Sequence, residues 1–316
     1  MTFLKTKTDT TLVYGSWAKE WKKNRNKYLM LLPAVMAVTI FCYLPFLGIS
    51  IAFKDFDIMK GFSGSDWVGL QNFTDIFSSS DIWKTIGRTL KYSFVLLFVS
   101  FPFPLALALM FNELNGKYFK KITQTLTYLP HFLSMITVAG LFYSLLSTNG
   151  TLNSVLEKIL GDGFEKKNIL MDSRYFLRII FSANLWKEIG WSSIIFLSAI
   201  AGVDKSLYEA ASVDGCGRVR QMWHVTLPGI STTIIILFIM QFGNIFNTGY
   251  ELVYGFQNLY VQNDTEIIST AIYRSGIVNG DYSHATAFGL AQGLVSIALV
   301  YLVNIISKKV SSVSVW

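Results

Sequence analysis

The chain has 316 residues, of which 52% are hydrophobic and only 15% are charged. A soluble domain carries about a quarter charged residues, so this composition argues against an ordinary soluble protein. The apolar residues also fall in long runs instead of alternating with polar ones, which indicates a chain that crosses a membrane several times. The net charge of +7 is interpreted as a signal of membrane orientation, with some attraction to anionic lipid.

Six apolar runs are long enough to cross a hydrocarbon core of about 30 Å, which takes about 20 helical residues. They cover residues 28–53, 92–111, 122–147, 179–203, 227–250 and 285–307. Helices are expected because a backbone in contact with lipid must satisfy its own hydrogen bonds. The predicted fold is therefore an all-α integral membrane protein with six transmembrane helices. Its membrane domain, 28–307, lies between a basic tail at 1–27 and a short tail at 308–316.

Lysine and arginine predict the orientation, because the cytoplasmic loops of membrane proteins are enriched in these residues. With both termini inside, the two tails and the loops 112–121 and 204–226 hold 15 basic residues in 69 positions. The three outer loops hold 11 in 103 positions. The sequence thus predicts an N-in/C-in, multi-pass protein of the bacterial cytoplasmic membrane, with loop 204–226 in the cytoplasm.

The loop at 204–226 has an ordered pattern that continues into the fifth run, where residues 209–230 read EAASVDGCGRVRQMWHVTLPGI. Its first part is rich in helix formers, and Asp204 is a suitable N-cap. Gly215 is expected to break this helix. The following residues favour a second short helix that ends at Pro228.

One face of the first short helix is expected to be small and apolar. Leu207, Ala210 and Ala211 share that face at i, i+3, i+4 spacing. A small face lets a partner approach closely, and Glu209 and Asp214 add charge beside it. Periodicity alone favours a plainer interpretation, an amphipathic connector that lies on the membrane surface.

The same loop resembles the EAA loop of permeases from binding-protein-dependent ABC importers. The residues that carry the resemblance are Glu209, Ala210, Ala211, Asp214, Gly215 and Leu227-Pro228. Three earlier stretches are similar to sugar permeases of the maltose type, namely Leu32-Pro33, YLPFLGISIAFKDF at 43–56 and WVGLQNFTDIF at 67–77. Among those permeases, the chain looks most like the subgroup that serves oligosaccharides derived from larger polysaccharides.

The resemblance implies that the loop is a coupling helix seated in a cleft of a separate ATPase subunit. The coupling residues would be Glu209, Ala210, Ala211, Asp214, Gly215 and Pro228, with Glu209 paired to a basic residue of the ATPase. The implied partners are two ATPase subunits, a second permease that is expected to be a different chain, an extracytoplasmic binding protein and its carbohydrate. ATP and Mg²⁺ would be bound by the ATPase subunits, so no cofactor is expected in this chain.

No catalytic constellation is visible in the sequence. The P-loop pattern GxxxxGK[ST] does not occur. His131, His224 and His284 show no spacing typical of a metal site. Basic residues are not interleaved with aromatic ones, so no nucleic-acid partner is expected. The chain is predicted not to be an enzyme, and its energy must come from another subunit.

Polar residues inside the membrane runs are candidates for a substrate pathway, because such residues are costly in lipid. The fifth run carries Gln241, Asn244 and Asn247 at three-residue spacing, and the fourth carries Asn184 and Glu188. Amides can bond to sugar hydroxyls, but the residues alone favour helix–helix hydrogen bonding. The resemblance reverses that preference for Asn244 and Asn247, whose distance from the EAA loop is similar to that of the sugar-contacting pair in maltose-type permeases.

Two alternatives stay open at this point. Lys187 and Glu188 are either part of the pathway or a charge pair whose ends reach towards the membrane surface. The chain as a whole is either a permease subunit of an ATP-driven importer or a stand-alone secondary transporter or channel for a polar solute. The second function is disfavoured because no inverted repeat is visible.

Overall fold

The computed structural model describes residues 17–161, 164–243, 245–246 and 249–311. Within these ranges the chain is almost entirely helical, and its only strands are two short segments that pair antiparallel. The predicted all-α class is therefore correct at this level. The chain divides after Ser50 into two units, each of which is described by itself.

The first unit is a long apolar helical stretch. Helix α1 spans Trp17–Val38, and a π-helical turn at Thr39–Tyr43 and a 3-10 helix at Leu44–Phe53 follow it. The stretch Lys23–Phe53 is long and apolar enough to cross a membrane. Exposed apolar side chains on such a helix suit contact with lipid or with a partner helix.

The second unit opens with short elements that precede its first long helix. These are β1 (Lys54–Asp55), α2 (Gly61–Gly64), β2 (Asp66–Trp67) and α3 (Gln71–Ser78). The amide of Asn72 donates to the carbonyls of Ala52 and Lys54, at 2.9 Å each, and so ties α3 to β1. Trp67 stacks on Phe53 at a ring distance of 5.7 Å.

The second predicted run lies within a helix that begins earlier than its apolar residues. Helix α4 spans Ser80–Phe94, continues through a π-helical turn at Val95–Val99 and leads into α5 at Pro102–Glu113. The whole stretch Ser80–Glu113 has 34 residues and is apolar enough to cross a membrane. Residues 80–91 are partly polar, so the run of apolar residues at 92–111 underestimates the length of the helix.

The third predicted run, 122–147, is not a straight helix. Helix α6 (Lys117–Tyr128) passes through a 3-10 turn at Leu129–Phe132 and is followed by α7 (Met135–Leu146). The axes of the two arms, Lys117–Phe132 and Met135–Leu160, differ by 101°. Pro130 lacks an N–H for a continuing helix, and the Ser134 hydroxyl caps α7 by accepting from the Thr137 N–H at 3.1 Å.

Most of the fourth run, 179–203, lies in one long helix, and the run extends two residues beyond the end of that helix at Ala201. Helix α8 (Thr151–Leu160) and a 3-10 turn at Ile169–Met171 precede α9, which spans Ser173–Ala201. Asp172 caps α9 by accepting from the Arg174 N–H at 2.9 Å. The 29 residues of α9 extend over about 43 Å at 1.5 Å per residue.

The loop with the EAA pattern folds into two short helices before the fifth run. They are α10 (Lys205–Val213) and α11 (Arg218–Gln221), and a π-helical turn at Met222–Thr226 follows them. Helices α12 (Leu227–Gly229) and α13 (Ser231–Gly243) come next, with a bend of 62° between Arg218–Gly229 and α13. The fifth run is therefore bent near Pro228, and its helix α13 ends at Gly243 instead of reaching residue 250.

The last part of the chain forms one further long helix after three short ones. These elements are α14 (Tyr250–Phe256), α15 (Gln262–Thr265), α16 (Ile268–Tyr273), a π-helical turn at Arg274–Val278 and α17 (Tyr282–Ser311). The stretch Tyr282–Lys309 is apolar enough to cross a membrane. It contains the sixth predicted run.

Within the described residues, three helical stretches are long and apolar enough to span a membrane, and two bent pairs raise this number to five. Helix α9, with Lys187 and Glu188 at its middle, is not among them. Apolar side chains between α5, α9 and α13 form the core beside the candidate site. Its buried members are Ala108, Phe196, Ile200 and Ile230.

Candidate functional site

A cavity of about 320 Å³ lies among the π-helical turn at Val95–Val99, α5, α9 and α13. Its size is at the lower end of the ~300–1,000 Å³ range of small-molecule sites. Three of the predicted substrate residues line it together, namely Asn184, Glu188 and Gln241. Asn244 and Asn247 lie outside the described residues, so their placement relative to the cavity stays a prediction.

Two further hydroxyl groups line the same cavity. Ser192 lies one helical turn after Glu188 on α9, and Ser100 lies where the π-helical turn at Val95–Val99 leads into α5. The Ser100 hydroxyl oxygen is buried and has no hydrogen-bond partner in the described part of the chain. The cavity therefore combines amide, hydroxyl and carboxylate groups in an otherwise apolar wall.

The carboxylate of Glu188 is held by two partners. Its Oε1 accepts from the Lys187 ammonium at 2.7 Å, and its Oε2 lies 2.8 Å from Nδ1 of His131. The Lys187 ammonium also donates to the His131 backbone carbonyl at 3.0 Å. Because the Lys187 and Glu188 charges lie close together, their attraction offsets part of the free-energy cost of removing them from water.

The structure shows a charge pair between Lys187 and Glu188, whereas a place in the substrate pathway stays a prediction. The two side chains form the expected charge pair, and Glu188 also lines the cavity. Lys187 is only 9% exposed and points away into the contact with the bent third run. His131 was missed as a member of the site because its partner lies 57 positions away in the sequence.

Phe101 and Phe196 line the cavity, and so does a third aromatic residue, Trp191. Its ring stacks on the imidazole of His131, with centroids 4.3 Å apart and planes 2° from parallel. Phe132 contacts the indole with its edge at 5.8 Å. Trp191 is nevertheless 43% exposed and lines the cavity.

The EAA loop presents most of its predicted coupling residues at the surface. Glu209, Ala210, Asp214 and Gly215 are exposed, whereas Ala211 is half-buried. Asp204 caps α10 by accepting from the Ser206 N–H at 2.9 Å, as the sequence predicts. That hydrogen bond lowers the pKa of the Asp204 carboxyl, because it stabilises the charged form.

Gly215 ends α10 in the left-handed region, at φ +78°, which a side chain would disfavour. Pro228 lies near the end of the helical stretch Arg218–Gly229, just before the 62° bend, where its missing N–H favours the end of that helix. Leu207 is 51% exposed and Val213 is 88% exposed. The free apolar surface of α10 therefore extends further along the helix than the predicted face of Leu207, Ala210 and Ala211.

Side-chain hydrogen bonds brace the two short helices of the loop. The Tyr208 hydroxyl lies 2.9 Å from the Thr226 hydroxyl oxygen, which joins α10 to the entry of α12. The Gln221 amide donates to the Ser212 hydroxyl at 2.8 Å and to the Cys216 carbonyl at 3.1 Å. The loop is thus a braced unit with an exposed face, and these bracing residues were not predicted from the sequence.

A helical membrane fold, a polar cavity between helices and a braced, exposed loop define a permease subunit. Residues 100–312 match the family described as the binding-protein-dependent transport system inner membrane component. Among curated proteins of Bacillus subtilis (strain 168), Protein LplB is 39% identical over 295 residues, which cover 93% of this chain and 92% of that protein. The polygalacturonan/rhamnogalacturonan transport system permease protein YteP is 41% identical over 282 residues, which cover 89% and 87%.

A solved structure agrees with these relatives. The chain matches one chain of a bacterial alginate ABC transporter, crystallised in complex with an alginate pentasaccharide-bound periplasmic protein. The TM-score is 0.85 at 34% identity, over 95% of this chain and all 100% of that one. The chain belongs to the family of inner membrane components of binding-protein-dependent transport systems. It is a membrane permease, which confirms the family that the EAA residues indicated.

Proposed function

We propose that this chain is one of two permease subunits of an ATP-driven ABC importer that takes up a carbohydrate, most simply an oligosaccharide. The observation that carries the proposal is the match along nearly the whole chain to a subunit of an alginate ABC transporter. The name of the relative YteP also refers to transport of polysaccharide-derived material. The cavity supports the proposal because its amide and hydroxyl groups can bond to sugar hydroxyls.

In this proposal the chain crosses the membrane six times, with both termini in the cytoplasm. Helix α9 supplies the fourth crossing, and its buried Lys187–Glu188 pair explains how a helix with two charges can be tolerated there. Residues 28–307 form the permease domain, and the tails 1–27 and 308–316 lie on the cytoplasmic side. The alginate transporter was crystallised in complex with a periplasmic protein, and an equivalent binding protein would deliver sugar to the outer face here.

The EAA loop is the proposed contact with two ATPase subunits, which bind ATP and Mg²⁺ themselves. Exposure of Glu209 and Ala210 supports this role, because a docking helix needs a charge for register and a small face for depth. Asp214, Gly215 and Pro228 shape the ends of the loop. Ala211, which is half-buried, contributes from the edge of the docking face.

Sugar passage is assigned to the cavity and to the residues that follow α13. Asn184, Glu188 and Gln241 share the cavity. Asn244 and Asn247 come one and four residues after the end of α13, and we propose that they extend the same polar lining. The second permease completes the pathway from its own side.

The test is reconstitution in liposomes with the ATPase subunits, second permease and binding protein encoded beside this chain. Uptake is measured with three labelled trisaccharides, made of galacturonate, of mannuronate and of arabinose. The proposal expects uptake of at least one of them that requires ATP and the binding protein. Uptake by this chain without ATPase subunits would instead support the stand-alone transporter, and no uptake of any of the three sugars would overturn the carbohydrate assignment.

A further inference from the structure

The exposed aromatic surface of the cavity has a fixed backing. The indole of Trp191 is flanked on one side by the parallel ring of His131, and Phe132 meets it at an interplanar angle of 78°. These contacts leave 43% of the residue exposed, and the residue is part of the cavity lining. The flat face of an indole therefore borders the cavity, close to the polar groups of an otherwise apolar wall.

We propose that Trp191 is the sugar-stacking surface of this cavity and that His131 is the residue that positions it; this inference rests on the proposed carbohydrate function. A sugar ring has a face of C–H groups and a rim of hydroxyls. The negative face of an aromatic ring attracts such C–H groups, and an indole supplies a large, rigid surface for them. Sites for small molecules commonly combine apolar surface with a few placed polar groups.

The polar groups needed for the rim are on the same helix. Ser192 follows Trp191 directly, and Glu188 precedes it by three residues, so all three lie along one part of α9 that borders the cavity. Gln241 approaches from α13 and Ser100 from the π-helical turn before α5. A sugar unit stacked on the indole would have donors and acceptors around its edge.

His131 is itself held at two points. Its Nδ1 contacts Glu188, and its backbone carbonyl accepts from the Lys187 ammonium. Both anchors are on α9, the helix that carries Trp191. The imidazole therefore cannot turn away from the indole without breaking the Glu188 contact, so the stack and the carboxylate are positioned together.

The chain offers a matched control on the same helix. Trp186 is also 43% exposed, but it does not line the cavity. Five residues separate the two tryptophans, which places them about 140° apart around the helix axis. A general effect of losing a tryptophan from α9 should appear at both positions, whereas a sugar contact should appear only at Trp191.

The experiment uses the complete transporter in liposomes, with the three trisaccharides named above. Variants Trp191→Met, Trp191→Phe and Trp186→Met are compared by the number of sugars taken up per ATP hydrolysed at saturating binding protein. Methionine fills much of the space and keeps a contact with the imidazole but has no flat face. ATP hydrolysis stimulated by the binding protein reports whether each complex is assembled.

For Trp191→Met we expect uptake per ATP to fall about tenfold, which corresponds to about 1.4 kcal/mol of lost interaction. Trp191→Phe should retain most of the uptake, and Trp186→Met should behave as the unchanged protein. His131→Ala should lower uptake per ATP, and His131→Phe should restore it in part, because a ring again backs the indole. If His131 acted only through its hydrogen bond to Glu188, phenylalanine would not restore uptake, because its ring cannot form that bond.

Unchanged uptake in Trp191→Met, or an equal loss in Trp186→Met, would overturn the stacking role while leaving the carbohydrate function intact. If Trp191→Met does not assemble, the comparison is made with Trp191→Phe and Trp191→His, and equal uptake in those two would overturn it. If the unchanged transporter takes up none of the three sugars, the proposed function fails and the stacking role falls with it.

Discussion

The hydrogen bond between Tyr208 and Thr226 offers a direct test of the proposal that the loop 204–226 transmits movement from the ATPase subunits. Tyr208 lies on α10, next to Glu209, and Thr226 precedes Leu227 at the entry to the fifth run. Their oxygens are 2.9 Å apart, and Thr226 is only 2% exposed. The change Tyr208→Phe removes the hydroxyl and preserves the ring.

The size of the effect follows from the burial of Thr226. A hydrogen bond between neutral groups contributes about 0.5–1.5 kcal/mol, and a buried partner left unpaired costs about 1–3 kcal/mol. The Thr226 hydroxyl can recover part of this by bonding to the backbone carbonyl four residues earlier in its own helical turn. We therefore expect Tyr208→Phe to weaken the contact between α10 and α12 by about 1 kcal/mol, which lowers the equilibrium constant for that contact about fivefold.

The assay separates docking from transmission. Because Tyr208→Phe leaves the exposed face of α10 unchanged, the ATPase subunits should still copurify with the permease. Uptake per ATP hydrolysed should fall by up to about fivefold, since docking no longer fixes the position of the fifth run. Tyr118→Phe is the control, because Tyr118 is 83% exposed on α6 and is expected to tolerate the change.

A double-mutant cycle decides whether the two hydroxyls act on each other. Thr226→Val alone should resemble Tyr208→Phe, and the double variant should be no worse than either single one, which gives a coupling energy of about 1 kcal/mol. Fully additive effects, or normal uptake per ATP in Tyr208→Phe, would refute the role of this contact.

Four further outcomes are expected. In a chain with Cys42→Ser, a membrane-impermeant thiol reagent should label Cys216 only after the cells are opened, and labelling of intact cells would contradict the orientation. Glu209→Lys should release the ATPase subunits or lower sugar-stimulated ATP hydrolysis, as measured by copurification, and a fully coupled complex would contradict docking. Gln241→Ala should weaken sugar uptake about 2- to 13-fold through one lost hydrogen bond, and unchanged uptake would return this residue to helix packing. The pKa of the Asp204 carboxyl is lowered in the folded loop, so charged Asp204 stabilises α10 at pH values above the ordinary carboxyl pKa. This stabilisation is lost as the pH falls through the lowered pKa. The helicity of Asp204→Ala should therefore differ from that of the unchanged loop at neutral pH but not in strong acid.

Local signals in the sequence predicted local structure well. The N-cap of α10 at Asp204 and its end at Gly215 follow from residue types that have few conformational alternatives. The polar residues of the fifth run drew attention to Gln241, which lines the cavity, because a spanning helix must direct its polar side chains away from lipid. The role of Gln241 in substrate binding stays a prediction. Asn184 and Glu188 line the same cavity as Gln241.

Other features depend on contacts between distant residues and could not be predicted. The bend in the run 122–147 needs Pro130 and Ser134 to act together, whereas a hydropathy run registers neither. The link of His131 to Glu188 joins two helices across 57 positions. Ser100 was overlooked because one serine in an apolar run usually bonds within its own helix, yet its hydroxyl is left without a partner beside the cavity.

Helix α9 crosses α6 closely at one point, about which α9 could rotate. Gly190 lies so near the backbone of Thr127 that a side chain at this position would collide with the Thr127 carbonyl. A glycine at such a crossing forms a natural pivot, and Trp191 lies directly beside it, whereas Ala201 at the end of α9 is about 16 Å further along the helix. For about 10° of rotation around the pivot, the end that carries α10 would move about 3 Å while the indole stayed nearly in place. Under the proposed docking of an ATPase on α10, a movement of α9 would thus be large at its α10 end and small at the cavity wall.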